Sequence, residues 1–165
     1  MFRVKEYVKA ASLEEAYQLN QKKSSILVGG MMWLKMENLY KVTAIDLNGL
    51  SLDTIEETED GFTIGCMCTL RQLEEHEGLN RYFQNVFKEC TKSIVGVQFR
   101  NTATVGGSIF GRYGFSDILT CMMMLDTTVE LHQGGLIPLP DFAGQKPDRD
   151  ILVRIYIKKD GRRPA

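Results

Sequence analysis

Residues 104–117 read TVGGSIFGRYGFSD, in which a glycine pair directly follows a short apolar run. The part GGSIFGR differs from the phosphate-binding P-loop, G-x-x-x-x-G-K-[ST], because Arg112 and Tyr113 stand where lysine and a hydroxyl residue are required. No G-x-G-x-x-G occurs elsewhere in the chain. These differences argue against kinase and ATPase activity and against a Rossmann-type dinucleotide-binding site. We instead predict a strand-to-helix turn that binds another kind of phosphate.

A second glycine turn of the same kind occurs earlier, in ILVGGMMWL at residues 26–34. Glycine permits positive φ and lets a ligand approach the backbone closely. Successive N–H groups in such a turn form an anion-binding nest, and a following helix N-terminus adds its positive dipole end. Two such turns could hold the two phosphates of a dinucleotide from opposite sides. For either pair alone, ordinary turn formation remains the alternative interpretation.

Composition excludes several classes of protein. The 165 residues are 44% hydrophobic and 25% charged, which is typical of a soluble globular protein. With 20 basic and 21 acidic residues the net charge is −1, which argues against a nucleic-acid partner. No apolar run is long enough to span a membrane, and the N-terminus lacks a secretory signal. Four scattered cysteines favour a reducing, cytoplasmic setting and predict no metal site.

Helical and strand patterns interleave along the chain, which predicts an α+β or mixed α/β class. Predicted helices cover residues 13–22 (with the capping-box pair Ser12 and Glu15), 69–79, 82–94 and 118–126. Predicted strands cover 24–28, 42–47, 128–135 and 151–158, the acidic residues 53–61 form a hairpin-like stretch with a turn signal at Asp60-Gly61, and 138–142 form a turn. We take the hairpin as the switch between an N-terminal lobe, 1–54, and a second lobe, 55–165, each with one glycine turn.

The segment VGVQFRNTATVGGSIFGRYGFSD (95–117), followed by ILTCMMMLDTTVEL, closely resembles the flavin-binding segment of the molybdenum hydroxylases. This family includes xanthine dehydrogenase, carbon monoxide dehydrogenase and aldehyde oxidase. Its pattern is roughly I-G-x-x-Q-I-R-N-x-[AG]-T-[VI]-G-G-[NS]-I, then a loop ending in S-D. ILVGGMMWLKM is similar to the family's first pyrophosphate loop, usually A-G-G-T-D-L. The resemblance runs from about residue 9 to 157. It is specific, because several separated motifs agree in order.

The resemblance implies the two-lobed FAD-binding fold of vanillyl-alcohol oxidase (PCMH) type, with non-covalent FAD and no catalytic acid or base on the protein. Backbone N–H groups of both turns would hold the pyrophosphate, Asp117 would contact a ribose or ribitol hydroxyl, and Ile94 and Leu152 would line a ring. From local pattern alone, Asp117 could equally cap the following helix. The implied cofactor-binding residues are Ile26, Leu27, Val28, Gly29, Gly30, Met31, Met32, Trp33, Ile94, Thr104, Val105, Gly106, Gly107, Ser108, Asp117 and Leu152.

The family resemblance also implies partners. Molybdopterin and 2Fe-2S clusters would lie on a molybdenum subunit and an iron–sulfur subunit, and electrons would pass through FAD to NAD⁺ or another acceptor. Two departures stand out: Met31 and Met32 replace the usual Thr-Asp, and Ser108 replaces the commoner Asn. The resemblance also leads us to expect a small C-terminal domain that the 165 residues do not include. The alternatives are a cofactor-free assembly module and a stand-alone mononucleotide-binding regulator.

Overall fold

The computed structural model describes residues 1–161, whose strands form two sheets of opposite kind. The first sheet is parallel, in the order β1-β3-β2, and consists of β1 (Arg3–Lys9), β2 (Ser25–Val28) and β3 (Tyr40–Asp46). The second is antiparallel, in the order β4-β5-β8-β6-β7, and consists of β4 (Ile55–Glu57), β5 (Gly61–Gly65), β6 (Thr127–Leu131), β7 (Gly135–Pro138) and β8 (Leu152–Lys158). All strands of the parallel sheet come before residue 54 in the sequence, and all strands of the antiparallel sheet come after it. We therefore propose a lobe boundary at residue 54.

Helices fill the spaces between these strands, mostly between β5 and β6. They are α1 (Leu13–Asn20), α2 (Leu70–Glu75), α3 (Glu77–Tyr82), α4 (Val86–Lys92), α5 (Val97–Arg100), α6 (Val105–Phe110), α7 (Asp117–Met123) and α8 (Leu139–Gly144), with a 3-10 turn at Leu34–Met36. The combination of a parallel sheet, an antiparallel sheet and interleaved helices confirms the mixed α+β class. None of the helices in residues 1–161 has the length and apolar character that crossing a bilayer requires.

Local capping signals correctly located two of the helices. Ser12 Oγ accepts the Glu15 N–H at 3.1 Å, so α1 begins directly after the predicted N-cap. The Glu15 carboxylate accepts the N–H of Ala11, the residue before the N-cap, at 2.7 Å, and so only half of the predicted capping box forms. At α2, Thr69 and Gln72 form a full capping box, with Gln72 N–H donating to Thr69 Oγ1 at 3.1 Å. At both helices the N-cap side chain thus pairs a backbone N–H group that the helix itself leaves without an acceptor.

Several predicted elements differ from the structure. The strand predicted over 128–135 ends at Leu131, and the chain turns back into β7 at Gly135. The glycine pair at 106–107, predicted to follow a strand, lies in the first turn of α6. The helix predicted over 69–79 is two helices, because His76 leaves the helical conformation at ψ 111° and its Nδ1 accepts the Leu79 N–H, capping α3. The helix predicted over 82–94 begins only at Val86, because Gln84 and Asn85 have φ values of 52° and 63°. The turn predicted at 138–142 is the start of α8, where proline in the first turn suits a helix N-terminus.

The strand β1 was absent from the prediction. Its sequence, RVKEYVK, alternates charged and apolar residues, and all but one of its residues are exposed. It lies at the edge of the parallel sheet, where it pairs with β3 from Arg3↔Tyr40 to Lys9↔Asp46. An exposed, charged edge strand buries little apolar surface, so the hydrophobic pattern that identifies interior strands is weak.

The Arg149 side chain joins the segment before β8 to the N-terminal part of the chain. Its guanidinium donates to the carbonyl oxygens of Asn20 and Lys22, and to that of Ser25 at 2.9 Å. In return, Asn20 Nδ2 donates to the Arg149 carbonyl at 2.8 Å. These bonds connect the end of α1 and the start of β2 to the antiparallel sheet, so they hold the two sheets in a fixed relation.

A buried ion pair fixes α5 against α2. Arg100 Nε and Nη2 donate to the two carboxylate oxygens of Glu74 at 2.8 and 3.2 Å, and both residues are less than a tenth exposed. Arg100 Nη1 also donates to the Ile94 carbonyl at 3.1 Å. Such bidentate, charge-assisted bonds are among the stronger side-chain interactions. The hydrogen bond from the Arg100 guanidinium is the main reason that the pKa of the Glu74 carboxyl is lowered.

We expect Glu74→Ala to lower the free energy of unfolding by about 3–5 kcal/mol, because it leaves the Arg100 guanidinium buried without its partner. Urea unfolding measures this change. Glu75→Ala is the matched control, because Glu75 is a neighbouring exposed carboxylate that pairs with Arg71; its cost should stay below about 1 kcal/mol. Equal effects of the two substitutions would contradict the assigned role.

The same ion pair predicts a pH dependence. Because the folded-state pKa of Glu74 is lowered, the stability it contributes is complete above the pKa of the unfolded chain and is lost as the pH falls through the folded value. Wild-type protein should therefore lose more unfolding free energy on acidification than Glu74→Gln protein does. Parallel slopes in urea titrations at several acidic pH values would rule this out.

Candidate functional site

A groove lies between the two glycine turns. Its volume of about 470 Å³ is large enough for a small-molecule ligand. Its lining includes every predicted cofactor-binding residue except Val105. Val105 is fully buried in the hydrophobic core, and its N–H donates to the Cys68 carbonyl at 2.8 Å. The motif thus contains one residue that supports the turn from the core side.

The first glycine turn is packed against the second through the backbone. A Cβ on Gly30 would lie 1.8 Å from the Thr102 carbonyl oxygen, and one on Gly29 would lie 2.6 Å from Thr104 Oγ1. Side chains at these positions are therefore sterically excluded by the protein itself. Met31 follows with φ 55°, the left-handed conformation, which turns the chain sharply after β2.

The first turn also presents a row of free backbone donors. The N–H groups of residues 29–32 donate no hydrogen bond to any atom in the described part of the chain, residues 1–161. All four residues line the groove. Consecutive unpaired N–H groups at a ligand groove are suited to an anion such as a pyrophosphate. Because these donors belong to the backbone, they are unaffected by methionine in place of the family's Thr-Asp.

The second turn differs from the first, because its N–H groups already have acceptors in the protein. Gly106 N–H donates to the Cys66 carbonyl at 2.9 Å, Gly107 N–H to Thr104 Oγ1 at 3.2 Å, and Ser108 N–H to the Thr104 carbonyl at 3.1 Å. This finding departs from the expectation that both turns offer free backbone donors. The second turn instead contributes a fixed wall, with Gly107 and Ser108 at least partly exposed and in the groove lining.

Two roles were considered for Asp117, helix capping and contact with a ligand hydroxyl, and the structure excludes the role as N-cap. Ser116, not Asp117, is the N-cap of α7, because Ser116 Oγ accepts the Leu119 N–H at 3.2 Å. Asp117 is the first residue of that helix, is exposed, and lines the groove. Its carboxylate accepts no hydrogen bond from residues 1–161, which leaves it available to a ligand hydroxyl.

Several groove residues were not identified from the sequence. Ile94 and Leu152 were expected to line the groove and do so. Further lining residues were not expected, and they are Met67, Phe99, Tyr113, Phe115, Arg149 and Ile151. Four aromatic residues, Trp33, Phe99, Tyr113 and Phe115, form what we call the aromatic cluster. Their only sequence signal is the unusual presence of Tyr113 and Phe115 within a glycine-rich segment.

Thiol and metal chemistry have little support in this groove. Burial raises the pKa of the Cys66 thiol to about 12 and that of Cys68 to about 11, so both remain protonated at neutral pH. A protonated thiol is a poor nucleophile and a poor metal ligand. Within residues 1–161 we find no group of three or more His, Cys, Asp or Glu side chains arranged to hold a metal ion.

Free backbone donors, an exposed carboxylate and apolar walls in one groove are typical of a domain that binds an extended, phosphate-bearing ligand. The chain belongs to the family described as the FAD binding domain in molybdopterin dehydrogenase, which matches residues 1–157. This match confirms the family inferred from residues 95–117. The donors, the carboxylate and the apolar lining all fit FAD.

Individual relatives agree with this assignment. The chain is 31% identical over 139 residues to the xanthine dehydrogenase FAD-binding subunit of Escherichia coli O157:H7, covering 80% of this chain and 47% of that protein. It is 24% identical over 159 residues to the uncharacterized protein YgfM of Escherichia coli K12, covering 94% of this chain and 60% of that protein. It therefore spans about half to three fifths of the length of these relatives.

The fold is shared with solved structures. A chain of the carbon monoxide dehydrogenase from Hydrogenophaga pseudoflava superposes with a TM-score of 0.82 at 22% identity, covering 93% of this chain and 58% of that one. This superposition confirms that the mixed α+β fold of the chain is the one expected from the family resemblance.

We expect Gly30→Ala to destabilise the protein by about 1–3 kcal/mol or more, because the added methyl group would overlap the Thr102 carbonyl and push the two turns apart. Thermal or urea unfolding measures the change. The matched control is Gly114→Ala, since a Cβ there meets nothing within 4 Å, and its effect should stay within about 0.5 kcal/mol. If the two variants are equally stable, the turns are not packed as described.

Proposed function

We propose that this chain binds FAD non-covalently in the groove and serves as the FAD-binding component of a xanthine dehydrogenase-like oxidoreductase. The observation that carries the proposal is the row of four unpaired N–H groups at residues 29–32, which share the groove with the exposed carboxylate of Asp117. These groups match the two polar features of FAD, its pyrophosphate and its sugar hydroxyls. Family membership supports the same cofactor.

Each part of the groove takes a separate role in this proposal. The N–H groups of residues 29–32 bind the pyrophosphate. The opposite wall of its site is formed by Thr104, Gly107 and Ser108. Asp117 accepts a hydrogen bond from a ribose or ribitol hydroxyl. The side chains of Ile26, Leu27, Val28, Ile94 and Leu152 contribute apolar contact, and Gly106 and Val105 support the second turn from the core side.

When bound, FAD would supply the redox chemistry, and the protein would supply position and a partly dry environment. We propose that electrons reach the groove from 2Fe-2S clusters on an iron–sulfur subunit, and originate at a molybdopterin centre on a third subunit. NAD⁺ or another acceptor would take them up. The similarity to a xanthine dehydrogenase FAD-binding subunit and the membership of the family support a place in such a complex. Four free thiols support a cytoplasmic location.

FAD titration of the purified protein tests the proposal directly. Binding should quench flavin fluorescence and yield a yellow protein that releases free flavin on heating. A protein that stays colourless and leaves flavin fluorescence unchanged would contradict FAD binding and favour a cofactor-free assembly module. Tight binding of ATP without FAD would favour a nucleotide-binding regulator. Purification with partner subunits, followed by molybdenum and iron analysis, tests the larger complex.

We expect Gly107→Val to weaken FAD binding by about tenfold or more while the protein remains folded, because Gly107 is exposed in the groove and a Cβ there meets only Thr104 Oγ1, at 3.1 Å. Gly144→Val is the control, since Gly144 is an exposed helix-end glycine with open space around it. Gly106→Val should instead disrupt folding, because its side chain would meet the Cys66 carbonyl. Unchanged FAD affinity in folded Gly107→Val protein would count against the assigned wall.

Asp117→Ala and Ser116→Ala should have opposite profiles. Loss of the Asp117 carboxylate should weaken FAD binding by about 1–3 kcal/mol and cost no more than about 1 kcal/mol of stability. Loss of the Ser116 cap should cost about 0.5–2 kcal/mol of unfolding free energy. Isothermal titration and urea unfolding measure the two quantities. An Asp117→Ala protein with reduced stability and full FAD affinity would show that its carboxylate acts on the helix only.

A further inference from the structure

The aromatic cluster brings together rings from three separate segments of the chain. Trp33 follows the first glycine turn, Phe99 lies on α5, and Tyr113 and Phe115 lie between α6 and α7. The Trp33 ring centroid lies 5.4 Å from that of Phe115 and 6.5 Å from that of Phe99, both in edge-on geometry, and Tyr113 stacks on Phe115 at 5.1 Å. The rings thus connect the first glycine turn to the segment that leads to Asp117.

These rings are unusually exposed for aromatic residues that contact one another. Trp33 is 48% exposed, Phe115 63% and Tyr113 39%, and all of them line the groove. Contiguous exposed aromatic surface is costly in water and commonly marks a binding site. The two protein rings that contact Trp33 do so at interplanar angles of 61° and 76°, so neither of them stacks on the indole. The indole therefore keeps exposed flat surface within the groove.

Backbone geometry at the groove supports a binding role for this surface. Met31 and Val95 both line the groove and have φ values of 55° and 48°. A β-branched residue in the left-handed region is strained, and such strain clusters at ligand sites. Val95 is also 78% exposed, so no burial of its side chain compensates for the strain. Two residues of the groove lining are thus held in a backbone conformation that their side chains do not favour.

We propose that the Trp33 indole stacks on one planar ring of the bound dinucleotide, with Phe115 holding the indole in place. The proposal rests on the proposed FAD function and extends it to a specific aromatic contact. Trp33 directly follows the free N–H groups of residues 29–32, so a ring joined to the pyrophosphate through a sugar can reach it. The isoalloxazine and the adenine share the required chemistry, a flat heteroaromatic face that stacks on an aromatic side chain.

The test compares the dissociation constants of FAD, FMN and ADP for the wild type, Trp33→Phe and Trp33→Leu. Trp33→Leu should weaken FAD binding by about tenfold or more, and Trp33→Phe, which keeps a flat ring, by about threefold or less. The loss should extend to one fragment only: to FMN if the indole stacks on the isoalloxazine, or to ADP if it stacks on the adenine. Phe115→Leu should produce a smaller loss with the same selectivity.

The control is Tyr40→Leu, because Tyr40 is an aromatic residue of β3 that is 59% exposed and lies outside the groove. Its affinities should match the wild type. Equal losses for FAD, FMN and ADP in Trp33→Leu would show that the indole only holds the loops together, and full FAD affinity would show that it does not contact the ligand; either result overturns the proposal. Wild-type protein that binds no FAD would instead refute the underlying function. If Trp33→Leu does not fold, Phe115→Leu provides the same selectivity test.

Discussion

The contact between Gly30 and the Thr102 carbonyl determines how the rest of this protein is arranged. With a Cβ position only 1.8 Å from that oxygen, the first turn can reach the second only if residue 30 is glycine. The contact joins the end of the parallel sheet to the segment that starts α6, although these parts are far apart in sequence. Thr104 completes the junction, because its Oγ1 accepts the Gly107 N–H and packs against Gly29. The groove lies where these two segments meet.

The two turns have similar sequences but different physical roles. The second turn satisfies its N–H groups internally, through Cys66 and Thr104, and is therefore stable without a ligand. The first turn leaves four donors unpaired at an open groove, where water or a ligand must bind them. This division explains how Met31 and Met32 can replace polar residues in the first turn: backbone donors carry the anion-binding chemistry, and apolar side chains can then line the groove.

The sequence predicted those parts of the fold that depend on local interactions. The caps of α1 and α2, the strands β2, β3 and β8 and the first glycine turn each have a signal within a few residues, and all were located correctly. The second glycine pair was expected to follow a strand, but it follows α5 and lies in the first turn of α6. Features that depend on distant contacts were missed: the edge strand β1, the Arg149 hydrogen bonds and the aromatic cluster. The break at His76 was also missed, although the bond that caps α3 there is local. Val105 illustrates the limit, because its place in a motif does not reveal that its side chain faces the core.

Arg100 shows how the motif connects the ligand groove to the core. It lies between the aromatic residue Phe99 and the second glycine turn, yet its side chain is buried against Glu74. Its third hydrogen bond, to the Ile94 carbonyl, holds the segment that carries Ile94 and Val95 into the groove lining. Because a buried guanidinium is costly without its carboxylate, this one ion pair ties the apolar wall of the groove to α2. The Arg100 guanidinium thus holds one wall of the groove in place, and anion binding depends on backbone N–H groups.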